Sequence, residues 1–251
     1  MDYFPSIVGE YRQLKNGRTF LSTDLFVTLE GVKYFVGTLA QEESEYAVQF
    51  MAKSKIHNDT KVIALSAIHR VVNHNDKVFV VMGNPIDNQT ESEKEGLKNL
   101  LFGEYIVAIN GVTKHFTVER VEVATEGASS GWGLDETLEG RIYHVIDLGS
   151  RTCNLATIKN KTWNDKLSKT LDFGCETFGH FNPSNISRLI YAEFSRRIGN
   201  QRGDVYAIGG VASQMQQYYA QYFSNVKVPE QHTFLNARSF YNIGVKLNEK
   251  A

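Results

Sequence analysis

The segment from Tyr143 to Ile158 constrains this chain more than any other part of its sequence. It reads YHVIDLGSRTCNLATI, in which an apolar strand ends at Asp147 and a glycine-containing turn leads into a second apolar strand. A carboxylate at the end of a buried strand needs a compensating partner, because a charge is costly to bury. Gly149 lets backbone N–H groups approach a ligand closely. The pattern therefore predicts a strand–turn–strand unit with a functional acid at its tip.

The turn also carries polar side chains that suit a phosphate group. Ser150 and Thr152 supply hydroxyls, and Arg151 supplies a guanidinium cation. With Asp147 holding Mg²⁺ through its water ligands, such a turn would bind a phosphate together with its metal ion. The same residues also fit an ordinary hairpin in which Asp147 caps its own turn. The segment by itself leaves both interpretations open.

Length and composition place the chain among globular proteins of one large or two small domains. It has 251 residues, 42% hydrophobic and 22% charged, with a net charge of -1. This charge gives no overall positive field that would attract nucleic acid or an anionic membrane. Apolar runs such as Val78–Met82 are too short to span a bilayer, and no signal peptide is visible. We therefore expect a cytoplasmic protein with Cys153 and Cys175 as reduced, buried thiols.

Strands and helices alternate along the chain, which predicts an α/β protein with at least partly parallel sheets. The clearest hairpin joins residues 105–109 to 112–118 through Asn110-Gly111, a dipeptide typical of a type I′ turn. A glycine-rich loop that leads into Gly140 is the candidate domain boundary. Helices are predicted from Asn58, where Asn58 and Asp59 would cap the first turn, and at 91–101, 184–198, after Gly210 (including Tyr222) and at 234–247.

A second buried strand, residues 204–208, also ends in glycine. Gly209 and Gly210 follow it, and a helix begins at once. The missing side chains would let a flat base or a sugar lie against the backbone, and the helix N-terminus adds a partial positive charge. A tight strand-to-helix connection that merely needs positive φ is the more ordinary explanation of the same residues, because glycine is the commonest turn residue.

Glu126 lies just past the strand that ends at Ala124, next to Gly127. A carboxylate there can accept a hydrogen bond from a water that attacks a phosphate. A solvated loop glutamate is the ordinary alternative. The seven histidines are scattered without zinc-site spacing, so we assign no metal ligand among them, and His144 is interpreted as a core histidine.

Taken in order, these segments resemble the actin-like ATPases, and more narrowly the ParM/StbA-type plasmid-segregation proteins of bacteria. Asp147-x-Gly149-x-x-Thr152-x-Asn154 resembles the family's second phosphate loop. Glu126 stands at the place of the family's water-positioning residue. Other segments that read like the family are Ile208-Gly209-Gly210 (its adenosine loop), Phe4–Val8, Tyr34–Gly37 and Asn236–Phe240.

The resemblance implies an actin-like fold of two RNase H-like domains with ATP (or GTP) and Mg²⁺ as cofactors. The first domain would span residues 1–140 together with a C-terminal helix at 234–251, and the second, nucleotide-binding domain would span 141–233. The implied roles are metal binding through water for Asp147, phosphate binding for Gly149, Ser150, Arg151 and Thr152, positioning of the hydrolytic water for Glu126 and Asn154, and adenosine binding for Gly209 and Gly210.

Two features depart from the family pattern. The family opens with an Asp-x-Gly strand and a hairpin that bind phosphate, whereas this chain begins near Phe4-Pro5-Ser6, so we expect the first phosphate loop and the first strand pair to be missing. An unpaired sheet edge between Phe20 and Val36 and weak nucleotide binding are then expected. The stretch 175–206 is also too short for the usual extra subdomain of the second domain, as in the AlfA group.

The function implied by the resemblance is an ATPase that polymerises into filaments and moves plasmid DNA. Its partners would be other copies of itself and a DNA-binding adaptor protein, with no direct contact to nucleic acid or membrane. A small-molecule kinase of the same superfamily is the first alternative, for which Glu126 is the one candidate base. A nucleotide-independent actin-like scaffold is the second alternative.

Overall fold

The computed structural model describes residues 3–15, 17–21, 23–49, 54–134, 138–199 and 203–249. The chain divides into two compact units. The first comprises Met1–Val80 and Glu91–Glu122, and the second comprises Val81–Thr90 and Val123–Ala251. By this criterion residues 123–140 and the C-terminal helix belong to the second unit. The domain bounds expected from the sequence, 1–140 with 234–251 and 141–233, stay a prediction, because contact density and family domain limits are different criteria.

A sheet of seven strands dominates the first part of the described chain. Its order is β4-β1-β3-β2-β6-β7-β5, and its last two strands continue into the segments of the second unit. The strands are Ile7–Glu10 (β1), Leu25–Leu29 (β2), Val32–Val36 (β3), Val48–Gln49 (β4), Asp76–Asn84 (β5), Gly103–Ile109 (β6) and Val112–Thr125 (β7), and the helices are Thr38–Glu43 (α1), Asn58–Val71 (α2) and Glu91–Leu101 (α3).

The hairpin predicted between residues 105–109 and 112–118 is present. β6 and β7 are antiparallel and joined by Asn110 (φ 51°) and Gly111 (φ 84°), the positive φ pair of a type I′ turn.

The prediction of an unpaired sheet edge between Phe20 and Val36 is wrong. β2 pairs with β3 on one side and with β6 on the other, and β3 also pairs with β1. The β2–β6 pairing joins segments about 80 residues apart, with Val27 opposite Ile109, and local sequence does not reveal such a pairing.

The second unit contains a sheet in the order β10-β9-β8-β12-β13, with β11 paired to β9. β8, β12 and β13 are parallel, whereas β8 and β9 are antiparallel, so the predicted partly parallel sheet is confirmed. The strands are Ile142–Leu148 (β8), Cys153–Lys159 (β9), Thr162–Trp163 (β10), Lys169–Leu171 (β11), Asp204–Ile208 (β12) and Val226–Lys227 (β13), and the helices are Pro183–Ile198 (α4), Ala212–Tyr219 (α5) and Leu235–Asn248 (α6). Short 3-10 turns lie at Ile86–Asn88, Ser130–Trp132, Asp165–Leu167 and His232–Phe234.

β8 is the central strand of this sheet and is buried on both faces. Side chains alternate between faces along a strand, so Ile146 and Leu148 pack with α4 and α5 on one side. Tyr143 and Val145 point to the other side, into a second apolar cluster. Asp147 follows the same alternation and therefore lies on this second face. That cluster also contains Ile86, Ala128, Leu138, Ala156, Ile158, Tyr206, Ile208 and Leu235.

The described chain between β11 and β12 holds a single α-helix, α4, which agrees with the predicted absence of an extra subdomain. Asn182 caps α4 by accepting the N–H of Asn185 at 3.1 Å, and Pro183 begins the first turn. The helix ends at Gly199 with a positive φ of 54°. Tyr222, which we expected within α5, lies beyond the end of that helix. In the described parts of the chain, none of the helices combines the length and the apolar character needed to cross a lipid bilayer.

Helix α2 is fixed at both ends by side chains that the sequence did not single out. His57, rather than Asn58 or Asp59, caps its start, because the His57 Nδ1 accepts the N–H of Asp59. At its other end Lys114 Nζ donates to the carbonyl groups of His69 and Val72, each at 2.8 Å. These bonds satisfy carbonyl groups that a helix C-terminus leaves unpaired.

His69 lies at this end of α2 with only 5% of its surface exposed, and its Nε2 is 3.0 Å from the carbonyl oxygen of Val112. Burial lowers the pKa of His69 from its ordinary value of about 6.5, the bond to Val112 partly offsets this, and the charge of Lys114 lowers it further. The folded protein therefore holds His69 neutral at pH values where the unfolded chain is already protonated.

We predict that this histidine makes the protein less stable in mild acid. As the pH falls below about 7, the unfolded state takes up more protons than the folded state, so the free energy of unfolding decreases until the folded-state pKa is passed. His69→Gln removes the titration and should flatten the dependence measured by urea unfolding between pH 7.5 and 5. The exposed His180→Gln should retain the wild-type slope, and equal slopes for all three proteins would contradict the assignment.

Candidate functional site

Asp147 lies at the C-terminal end of β8 and is 6% exposed. The side-chain amide of Asn236, in the first turn of α6, donates to Asp147 Oδ2 at 2.8 Å. Asn154 stands directly opposite Asp147 in the β8–β9 ladder and is 2% exposed. Because residues opposite each other in a ladder share a face, the two side chains project together from the second face of the sheet.

Gly127 packs directly onto this pair. A Cβ at Gly127 would lie 3.2 Å from the Cβ atoms of both Asp147 and Asn154, and its φ of +68° also favours glycine. The Gly127 N–H donates to Asn236 Oδ1 at 3.0 Å. Glu126 immediately precedes this glycine and donates its own N–H to the carbonyl of Asn84 at 3.0 Å. The structure thus brings the loop that carries Glu126 to the strand ends that carry Asp147 and Asn154.

The side chain of Asn154 already has partners within the protein. Its Oδ1 accepts the hydroxyl of Thr170 at 2.7 Å and the N–H of Ile86 at 3.4 Å. Thr170 is tied in turn to Asp87, whose Oδ1 accepts the Thr170 N–H at 3.0 Å. Asn154 therefore connects β9, β11 and the 3-10 turn at Ile86–Asn88. Because Oδ1 is already engaged, any contact of Asn154 with a water would use its side-chain NH₂ group.

The predicted phosphate loop, residues 149–152, forms a tight turn after β8. The Gly149 N–H donates to the carbonyl of Thr152 at 3.0 Å and closes the turn. The hydroxyls of Ser150 and Thr152 have no hydrogen-bond partner within the described chain, and both residues are half-buried. Such hydroxyls can bind a phosphate without breaking an existing bond.

The segment 174–177 is hydrogen-bonded to the backbone of this loop. The N–H of Cys175 donates to Gly149 at 3.0 Å and the N–H of Glu176 donates to Ser150 at 2.8 Å. The Thr177 hydroxyl donates to the carbonyl of Arg151 at 2.9 Å and accepts the N–H of residue 174 at 2.8 Å. Residue 174 is a glycine, and a Cβ there would collide with the carbonyl of Ser150. The loop backbone is therefore fixed at three successive carbonyl groups.

The glycine pair after β12 lies beside Asp147. Gly209 has a φ of +98°, and a Cβ there would lie 2.5 Å from the Leu148 carbonyl oxygen and 3.4 Å from Asp147 Oδ1. A Cβ at Gly210 would meet open space. His232 holds the pair in place, because its carbonyl accepts the Gly209 N–H at 3.0 Å and its Nδ1 lies 2.8 Å from the Gly209 oxygen.

Both cysteines are free thiols, as predicted, but only Cys153 is fully buried, and Cys175 is half-buried. Burial raises the pKa of Cys153 well above its ordinary value, and the nearby charge of Asp147 adds to this effect. Burial also raises the pKa of Cys175. Both thiols therefore stay protonated near neutral pH and are poor nucleophiles. His144 is a core histidine, as interpreted, with its Nδ1 3.0 Å from Thr157 Oγ1.

The residues present fit a nucleotide with its magnesium ion. Within the described residues, no group of three or more His, Cys, Asp or Glu side chains could form a metal site by itself. Mg²⁺ differs from most metals because it is commonly held by one or two carboxylates together with phosphate oxygens and water. Asp147 can supply that carboxylate, the unpaired hydroxyls of the loop suit phosphate, and the open backbone at Gly210 suits a flat base.

The sequence did not identify three residues that shape this site. Asn236 was noted only within a family-like segment, and Thr177 and His232 were not singled out. All three act through bonds to segments distant in sequence, so no periodicity or local motif marks them. The helix predicted at 184–198 did imply a loop before it, and Thr177 lies in that loop.

Comparison with known proteins identifies the fold. The chain is similar to apo ParM from pSK41 (TM-score 0.77, 18% identity, covering 98% of this chain and 91% of that one). It is also similar to AlfA from the B. subtilis plasmid pLS32, solved as a filament (0.72, 19%, 97% and 88%). A third similar structure is Ta0583, an archaeal actin homologue in complex with ADP (0.76, 15%, 97% and 92%). A search of curated proteins finds no match.

These similarities confirm the predicted actin-like fold, and they cover nearly the whole chain. The family model that describes the N-terminal domain of actin-like proteins matches residues 1–128, about half of the sequence. The chain therefore belongs to the actin-like proteins.

Proposed function

We propose that this protein is an actin-like ATPase that polymerises into filaments and moves plasmid DNA through a DNA-binding adaptor protein. The observation that carries the proposal is the Asp147–Asn154 pair at the end of a central strand, with Gly127 and Gly209 packed against it. This arrangement brings a carboxylate, a turn with two hydroxyls unpaired within the described chain and an open glycine backbone to neighbouring ends of the same sheet.

The similar proteins support the choice of ligand and assembly. AlfA from a B. subtilis plasmid was solved as a filament, and Ta0583 was solved with ADP. We carry nucleotide binding, with ATP or GTP and Mg²⁺, and self-association over to this chain as parts of the proposal. Indirect DNA contact in the cytoplasm accords with the net charge of -1, which gives no overall positive field to attract the phosphate backbone.

In the proposed reaction the residues act by positioning and electrostatics rather than by covalent chemistry. Bound Mg²⁺ would neutralise phosphate charge, and Asp147 would hold it through water. Glu126 would accept a hydrogen bond from the attacking water and Asn154 would contact that water through its amide. The groups that would bind the nucleotide are Gly149, Ser150, Arg151 and Thr152 at the phosphates and Gly209 and Gly210 at the adenosine.

Sedimentation with and without ATP and Mg²⁺ tests the proposal. We expect the wild-type protein to pellet only when ATP and Mg²⁺ are present, at concentrations high enough to offset the weak binding expected from the sequence. Asp147→Ala should stay in the supernatant and lose Mg²⁺-dependent nucleotide binding in calorimetry. Asp165→Ala removes an exposed acid of the same unit and serves as the control. A kinase would bind nucleotide without pelleting, a scaffold would not respond to it, and wild-type affinity in Asp147→Ala would contradict the metal assignment.

Glu126→Gln should slow hydrolysis far more than it weakens binding. A group that orients the attacking water acts mainly in the transition state, so its loss lowers kcat by about 100-fold or more with little change in nucleotide affinity. Single-turnover hydrolysis and calorimetry measure the two quantities. Glu139→Gln, an exposed glutamate in the same unit, should behave as wild type. Normal turnover in Glu126→Gln would make this residue an ordinary loop glutamate.

The two neighbouring glycines should respond in opposite ways to alanine. Gly209→Ala combines an unfavourable positive φ with a collision at the Leu148 carbonyl and should reduce the free energy of unfolding by about 2–4 kcal/mol. Gly210→Ala adds a methyl group in open space and should change it by less than about 0.5 kcal/mol. That methyl group should nevertheless weaken nucleotide binding, and unchanged affinity would show that the adenosine lies elsewhere.

A further inference from the structure

We propose that Asn236 is a positioning residue that fixes the Asp147 carboxylate and the Glu126 loop in one geometry. The catalytic relevance of this role rests on the proposed function. The hydrogen bonds from which we infer it are observed independently of that function. Its role is to act through Asp147 and Gly127 rather than to touch the substrate.

The carboxamide of Asn236 uses both of its polar atoms at once. Its Nδ2 donates to Asp147 Oδ2 at 2.8 Å, and its Oδ1 accepts the N–H of Gly127 at 3.0 Å. A side chain of this length needs a donor and an acceptor on the same planar group to form both bonds. An aspartate lacks the donor and an alanine lacks both. One side chain thereby connects the end of β8 to the loop after β7.

Each bond restrains a group whose direction matters for the proposed chemistry. The terminal torsion of an aspartate is broad, so hydrogen bonds decide which way the Asp147 oxygens point. The Gly127 N–H belongs to the peptide group formed with Glu126, and fixing it fixes the backbone from which the Glu126 side chain projects. A single amide therefore sets the relative direction of the proposed metal carboxylate and the proposed water-orienting carboxylate.

Helix α6 gives Asn236 a rigid base. Leu235, the neighbouring residue, is 1% exposed and belongs to the apolar cluster beneath the sheet. Ser239 donates to the Leu235 carbonyl at 2.7 Å, and Asn242 donates to the carbonyl of Trp132 at 2.6 Å. The segment from Gly127 to Trp132 is thus held at both of its ends by asparagines of one helix. Sites supported by such elements keep their geometry better than sites on loops alone.

Asn242 also provides a matched control. Asn236→Ala and Asn242→Ala each remove an asparagine that joins α6 to the same segment, so both should lower the melting temperature. Only Asn236→Ala removes bonds to Asp147 and Gly127. A merely structural role for Asn236 would give the two variants the same phenotype.

The test uses the full chain and two independent measurements. The first is NMR-resolved hydrogen exchange of the Gly127 amide without nucleotide. The second is calorimetric titration of ATP over a series of Mg²⁺ concentrations, with kcat measured at saturating ATP. For Asn236→Ala we expect at least tenfold faster exchange at Gly127 and a 10- to 100-fold higher Mg²⁺ requirement, the usual effect of losing a bond to a metal-binding group. For Asn242→Ala we expect wild-type values of both.

The two measurements separate this inference from the proposed function. Absence of ATP binding by the wild-type protein would overturn the proposed function, and the exchange of Gly127 would still decide whether Asn236 holds the loop. If Asn236→Ala retains both the wild-type exchange rate and the wild-type Mg²⁺ requirement, the inference is wrong. It is also wrong if Asn242→Ala changes both quantities to the same extent.

Discussion

A carboxylate at the end of a strand with two buried faces is the constraint on which the second unit depends. Asp147 belongs to β8, and both sides of this strand are covered by apolar side chains. An acid in that position must be compensated by hydrogen bonds or by a cation, since removing a charge from water is costly. The protein meets this requirement by directing Asn236 and two glycine-containing loops to the strand end.

Strand alternation decides on which side of the sheet the residues of the proposed site lie. One face of β8 and β9 takes the apolar side chains that pack on α4 and α5. The other face begins with the apolar cluster around Tyr206 and Ile208 and ends in Asp147 and Asn154. The same face thus changes from core to site along the length of a single strand, and the packing of its apolar part holds the polar part in place.

Elements that depend on neighbouring residues, such as turns, helix starts and single strands, could be predicted from the sequence. The Asn110-Gly111 hairpin, the helix predicted at 184–198 and the strand that ends at Asp147 are all marked by their own periodicity or turn residues. Long-range pairing carried no such signal, which is why an unpaired edge was expected where β2 in fact pairs with β6. The bonds of Asn236 could not be predicted for the same reason, because its partners Asp147 and Gly127 meet it only in the folded chain.

The separation in sequence between Asn236 and its partners has a consequence for folding. Its bonds to Asp147 and Gly127 span 89 and 109 residues. The entropy of closing such loops opposes their formation until much of the unit has assembled, whereas the β8–β9 hairpin can form early. A partly folded chain therefore has the acid but not the completed site. A ligand that requires the completed site would bind only fully folded molecules. By mass action it would therefore shift the population away from folding intermediates.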